Sequence, residues 1–157
     1  MKRMFDCVLA TTLAIVLLVP MILFGIAIKF NSKGPIFFVS DRVGQGNHLF
    51  KMIKFRSMKI GTPIVSTDLL DEPKRFLTSI GSFLRRTSVD ELPQIWNILC
   101  GDMSFVGPRP ALFNQVDLIK LRTEKSIDSM LPGLTGWAQV NGRDELTIDD
   151  KVSLDHE

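Results

Sequence analysis

The sequence predicts an α/β (α+β) fold, a small sheet with several short helices, preceded by one long apolar helix. Three observations carry this expectation. No residue from Cys7 to Ile28 is charged, and most are Leu, Ile, Val, Ala, Met or Phe. Leu49 to Phe55 alternates apolar and basic residues, as a half-buried strand does. Glycine and proline punctuate the rest into short segments. The expected division is a membrane helix over residues 1–32 and a globular domain over residues 33–157. A chain of 157 residues, 45% hydrophobic and 23% charged, supplies one such domain with a modest core.

The apolar run rises about 1.5 Å per residue as a helix, enough to cross a hydrocarbon core of roughly 30 Å. It is too long for a signal peptide, and Ile26-Ala27-Ile28-Lys29 is a poor cleavage site. Lys2 and Arg3 precede it, and Lys29 and Lys33 follow it. Positive flanks at both ends favour keeping both on the cytoplasmic side. Pro20 removes a backbone hydrogen bond past the middle and predicts a membrane break there. From the residues alone, a spanning helix and a re-entrant hairpin both stand.

Asn31 to Pro35 then reads as a helix-ending turn, Ile36 to Val39 as a strand, and Asp41 to Asn47 as a loop or hairpin turn. Gly61 to Pro73 is polar and irregular. Phe76 to Leu84 predicts a short helix ending on Arg85-Arg86. Thr87 to Leu99 predicts a second helix, with Ser88 as N-cap, Glu91 completing a capping box, and Gly101 as the stop. Ser104 to Pro110 reads as a loop, Leu112 to Leu121 as a helix, Pro132-Gly133 as a turn and Trp137 to Val140 as a short strand.

Several function classes are excluded by composition. A net charge of +2 argues against a nucleic-acid partner. Cys7 and Cys100 form no disulfide framework and read as buried, reduced thiols. Having only His48 and His156 argues against a histidine zinc site.

Three segments have chemistry. In Arg85-Arg86-Thr87-Ser88-Val89-Asp90-Glu91-Leu92-Pro93-Gln94, two arginines precede a helix start and two carboxylates lie in its first turn. A helix N-terminus favours anions. An ionised Asp beside arginines can attack phosphorus, and a second carboxylate can hold Mg²⁺. A well-capped helix with dipole-friendly acids explains the same spacing. In Val106-Gly107-Pro108-Arg109-Pro110, a guanidinium sits on a stiff backbone, suited to a phosphate or simply a surface turn. In Pro132 to Arg143, glycines permit close approach to a ligand, and Asn141 and Arg143 add polar contacts; a plain hairpin serves equally.

Taken together these segments resemble the bacterial sugar transferases known as monotopic phosphoglycosyl transferases. The likeness covers Lys2 to Asp6, Ser32 to Phe38, Arg42-Val43-Gly44, Lys54 to Met58, Ser88 to Gln94, Gly101 to Ser104, Val106 to Pro110 and Pro132 to Arg143. It implies an enzyme of the sugar-1-phosphate transferase type, using a UDP-sugar donor and undecaprenyl phosphate as acceptor, with UMP released. It implies Asp90 as nucleophile, Glu91 as the Mg²⁺ ligand, and Arg85, Arg109 and Arg143 as phosphate-binding residues. It also implies a re-entrant helix broken near Pro20, although Val19 stands where some members have Ser. The expected setting is the bacterial inner membrane, with membrane lipid as a partner and the catalytic domain on the cytoplasmic face. Homo-oligomerisation is left open.

The chain resembles the minimal catalytic form, without the additional spans of longer members. The family usually runs on past Leu154-Asp155, so an incomplete C-terminus is expected. Two rival readings remain: a non-catalytic membrane-anchored scaffold of a glycan-assembly complex, and a glycosyltransferase that releases UDP. The released nucleotide separates them.

Overall fold

The computed structural model describes residues 1–65, 71–142 and 145–156. Helices α1 (Lys2–Val16) and α2 (Leu18–Asn31) replace the single predicted helix. They meet at Leu17 and are bent by 61°. Pro20 explains the position of the break. It lies in the first turn of α2, has no N–H to give to the Val16 carbonyl, and its ring crowds that carbonyl. Hydrogen bonding resumes on either side, with Leu17 N donating to Leu13 O and Met21 N to Leu17 O, each at 2.8 Å. Among the described residues no single helix is long and apolar enough to cross a membrane; the bent pair together has the length and composition.

Polar side chains tie both ends of the pair to the rest of the chain. Arg3 donates to the carbonyls of Ile98 and Leu99, acceptors left over at the end of α4 (Gln94–Cys100). The buried Asp6 carboxylate accepts from Ser104 Oγ at 2.8 Å and Phe105 N at 3.3 Å. At the far end, the buried Arg56 guanidinium donates to the carbonyls of Ser32 and Lys33.

β1 (Phe37–Val43) and β2 (Leu49–Phe55) form an antiparallel hairpin with Phe37 opposite Phe55 and Val43 opposite Leu49. The observed β2 has its predicted bounds. β1 runs four residues beyond Val39, because Ser40 to Val43 pair with β2 and Arg42-Val43 also pair with β4 (Ala111–Leu112). The sheet order is β2-β1-β4. The outer edge of β2 is closed by the buried Asn97 side chain, which donates to Lys51 O at 2.8 Å and accepts from Ile53 N at 3.1 Å. A second, parallel pair joins β3 (Ser104–Val106) to β5 (Gly133–Thr135).

The remaining elements correct several expectations. The predicted helix over Phe76–Leu84 is α3 (Gly81–Arg86), preceded by an extended Leu77 bridged to Met58. The predicted helix over Thr87–Leu99 is divided. Ser88 has φ +56° and makes no cap, residues Val89–Glu91 form a 3-10 turn, and α4 begins only after Pro93. Left-handed Ser88 cannot take the extended conformation that an N-cap requires. α5 (Val116–Glu124) starts later than predicted because Leu112 belongs to β4. Trp137–Val140 is α6, not a strand; its turn is closed by Val140 N on Gly136 O and by Asn141 Nδ2 on Trp137 O. α7 (Ile148–His156) packs on α5 through a cluster of Leu118, Ile127, Val152 and Ala111. Cys7 is half-buried and Cys100 exposed, so neither is the buried thiol expected. The α+β class holds, with a mainly antiparallel sheet.

Gly81 sits where a Cβ would collide with the Ser57 carbonyl. Gly81→Ala is expected to cost about 1–3 kcal/mol and to lower the melting temperature followed by circular dichroism in detergent. An unchanged transition would contradict this packing.

Candidate functional site

The turn Val89–Glu91 sets two adjacent carboxylates against β2. Asp90 is buried, and Glu91 has a side chain only 12% exposed. Glu91 Oε1 accepts from Lys54 Nζ at 2.7 Å and from Arg109 Nη2 at 3.2 Å. Three distant segments, β2, the 3-10 turn and the Pro108-Arg109-Pro110 loop, therefore meet at one oxygen. They open on a cleft of about 650 Å³, which Arg85, Arg42, Arg56 and Arg122 also line.

The two acids are driven in opposite directions. For Asp90, burial is the largest influence and raises its pKa above the ordinary 3.8; Lys54 and Arg85 pull it down, and Glu91 pushes it up. Burial also pushes Glu91 upward, but Lys54 and Arg109 together outweigh it and hold the group at about 2. Burial and Arg109 lower Lys54 to about 8, against the opposing pull of Glu91. Arg42 falls to about 10, through burial and then Arg109. The site thus combines a fixed anion, a desolvated second acid whose pKa is raised, and several cations.

Of the residues singled out from sequence, Asp90, Glu91, Arg85 and Arg109 come together around this cleft. Arg143 lies outside the described residues. The capping-box role of Glu91 is not observed, since its carboxylate turns to Lys54 and Arg109 instead of the Ser88 backbone. Sequence reasoning passed over Lys54 and Arg42 as individual site residues. Lys54 had a signal. It is three positions from Lys51 on a strand of period two, so the two lysines point to opposite faces. Lys51 is 69% exposed and pairs with Asp41, whereas the Lys54 side chain is 14% exposed and faces the dyad.

No cluster of three His, Cys, Asp or Glu is present among the described residues. The chemistry of the donors still fits one kind of metal. Mg²⁺ takes one or two carboxylates and completes its shell with phosphate oxygens and water. Glu91 and Asp90 are adjacent carboxylates at the cleft that could supply such oxygen ligands.

A family model described as bacterial sugar transferase matches residues 1–157. The UDP-glucose:undecaprenyl-phosphate glucose-1-phosphate transferase of Escherichia coli is 39% identical over 146 residues, which cover 90% of this chain and 31% of that protein. The enzyme of the same name from Xanthomonas campestris is 42% identical over 151 residues, with 90% and 30% coverage. An uncharacterized sugar transferase of Bacillus subtilis is 40% identical over 158 residues, with 99% and 75% coverage. The chain thus spans less than a third of the length of the first two relatives.

The opposed shifts have opposed consequences for stability. Glu91 has its folded pKa depressed from 4.5 to about 2, so its contribution is present above pH 4.5 and lost as pH falls through that window. Glu91→Gln should cost on the order of 1–3 kcal/mol at pH 7, and the difference from wild type should shrink on acidification. Asp90 has its folded pKa raised, so its ionised form opposes folding at neutral pH, and Asp90→Asn should melt no lower than wild type. Thermal melts from pH 3 to 7 check both. The reverse order of the two variants would contradict the electrostatics.

Proposed function

The chain belongs to the bacterial sugar transferase family, and from that premise we propose that it transfers a sugar 1-phosphate from a UDP-sugar to a polyprenyl phosphate. The relatives named for undecaprenyl-phosphate sugar-1-phosphate transfer support the substrate classes. The observation that carries the reading is the buried Asp90–Glu91 dyad, set among cations in a cleft. A scaffold would gain nothing from a carboxylate that opposes folding.

Asp90 acts as nucleophile. Burial that raises its pKa also strips its solvation and makes it more basic, while Lys54 and Arg85 favour its ionised form. An Asp90 oxygen bonds to the β-phosphorus of the UDP-sugar as the bond to the bridging oxygen breaks, and UMP leaves with that oxygen. An oxygen of the polyprenyl phosphate then attacks the same phosphorus, the acyl-phosphate bond breaks, and the Asp90 carboxylate is restored. The product is a polyprenyl diphosphate sugar. Lys54, Arg85 and Arg109 offset the charge of the diphosphate, which would otherwise repel an anionic nucleophile. Glu91, with Asp90 beside it, would hold Mg²⁺, which when bound neutralises diphosphate charge. Arg143 is assigned a phosphate by family position alone.

We place α1 and α2 in the cytoplasmic leaflet of the bacterial inner membrane as a re-entrant pair. Val8, Ile15, Val16, Leu18, Ile22 and Leu23 are exposed on it, in keeping with lipid contact. Basic residues flank both ends, and the domain stays on the cytoplasmic side.

Two experiments test this reading. UMP should appear from a UDP-sugar before lipid is added, in an amount no greater than the enzyme, and Asp90→Asn or a chelator should abolish it. UMP release that strictly requires lipid would overturn the double displacement, and UDP release would indicate a glycosyltransferase. For topology, cysteine labels at the two ends of the helix pair in sealed vesicles should react from the same side, whereas Pro20→Leu should shift the pair toward a spanning helix. Opposite sides in the wild type would sink the re-entrant assignment.

A further inference from the structure

The loop that carries Arg109 has little backbone bonding of its own, since Pro108 and Pro110 supply no N–H. Its three carbonyls are nonetheless all held from outside. Pro108 O accepts from Gly133 N at 2.8 Å, Arg109 O from Arg122 Nη1 at 2.8 Å, and Pro110 O from Arg42 Nη1 at 3.3 Å. The middle bond leads to a second buried ion pair. Arg122 on α5 donates through Nε and Nη2 to Asp155 Oδ2 on α7, at 3.1 and 2.6 Å. Their side chains are 12% and 2% exposed.

A buried pair of this kind is weak evidence for stability, because desolvating both ions offsets most of their attraction. Its geometry is better matched to orientation. Asp155 takes two of the guanidinium donors and fixes the plane of Arg122, so that the third donor meets the Arg109 carbonyl. Arg109 in turn projects its own guanidinium onto Glu91. We propose that Arg122 and Asp155 are positioning residues, which aim Arg109 at the phosphate end of the cleft from the α5–α7 side of the domain. The inference rests on the transferase reading for its activity readout, and a structural readout tests it separately.

The experiment uses the whole chain in detergent. Asp155→Asn should lower the rate constant of the UMP burst from a saturating UDP-sugar about 10- to 100-fold, with little change in KM and with the burst amplitude per folded enzyme retained. A purely structural role would reduce the amplitude and leave the rate constant alone. Asp155→Glu should recover part of the rate. In an Arg109→Lys background, Asp155→Asn should slow the burst less than about threefold further, because the group it aims is already altered. If Asp155→Asn folds poorly, Arg122→Met combined with Asp155→Leu removes both charges together and should give the same slow, full-amplitude burst. Independently of activity, the Arg109 Nε–H NMR signal should shift or broaden in Asp155→Asn and stay unchanged in Asp128→Asn. An unchanged Arg109 signal, a per-site rate within threefold of wild type, or effects that multiply fully with Arg109→Lys would each overturn the proposal. A wild type without a UMP burst would defeat the transferase reading, while the NMR comparison would still decide this one.

Discussion

Glu91 Oε1 is the point on which the site depends. One oxygen accepts from Lys54 on β2 and from Arg109 on the proline-flanked loop. Lys54 has little access to water there, and its charge is costly at that position without the carboxylate. Glu91 is accordingly held near pKa 2, and that fixed anion pushes against its neighbour Asp90. The two acids are adjacent in sequence yet have opposite roles, one that binds the site together and one left basic and costly. Pairs of titratable groups driven apart in this way are candidate reaction centres.

The fold serves to bring that oxygen and the apolar helix pair together. α4 follows the dyad directly, and its end is capped by Arg3 from α1. Its Asn97 closes the edge of β2, the strand that supplies Lys54. β3, which leads into the Arg109 loop, is tied to Asp6 of α1. Arg56, two residues beyond Lys54, caps the end of α2. α4, β3 and the residues just after β2 thus each clamp the helix pair and adjoin a segment that contributes a charge to the cleft. A domain built this way holds its dyad at a set position relative to α1 and α2, as the proposed transfer from a soluble nucleotide to a membrane lipid would require.

Local patterns in the sequence carried the elements whose structure is decided locally. β2 kept its predicted bounds, Leu49 to Phe55. Gly101 ended α4 as predicted, with φ +99°. The bend near Pro20 followed from its missing N–H, although the break itself lies at Leu17. Misreadings arose where tertiary contacts override local preference. Ser88 and Glu91 have capping-box spacing, but the cations of Lys54 and Arg109 attract Glu91 more strongly than a backbone N–H does. Trp137 to Val140 has the composition of a strand, yet Gly136 and Asn141 close it into a helical turn. The acidic dyad and Arg109 were found through motif likeness, whereas Arg122 and Asp155 gave no local signal, since their pairing joins α5 to α7.

The central claim is that Asp90, kept basic beside the fixed Glu91 anion, carries the transferred phosphosugar. Peptide mapping by mass spectrometry, after the enzyme is mixed with a UDP-sugar alone and quenched in acid, tests it most directly. The account predicts a phosphosugar adduct on the peptide containing Asp90, at the aspartate itself. An adduct on any other residue, or none in enzyme that has released UMP, would contradict it.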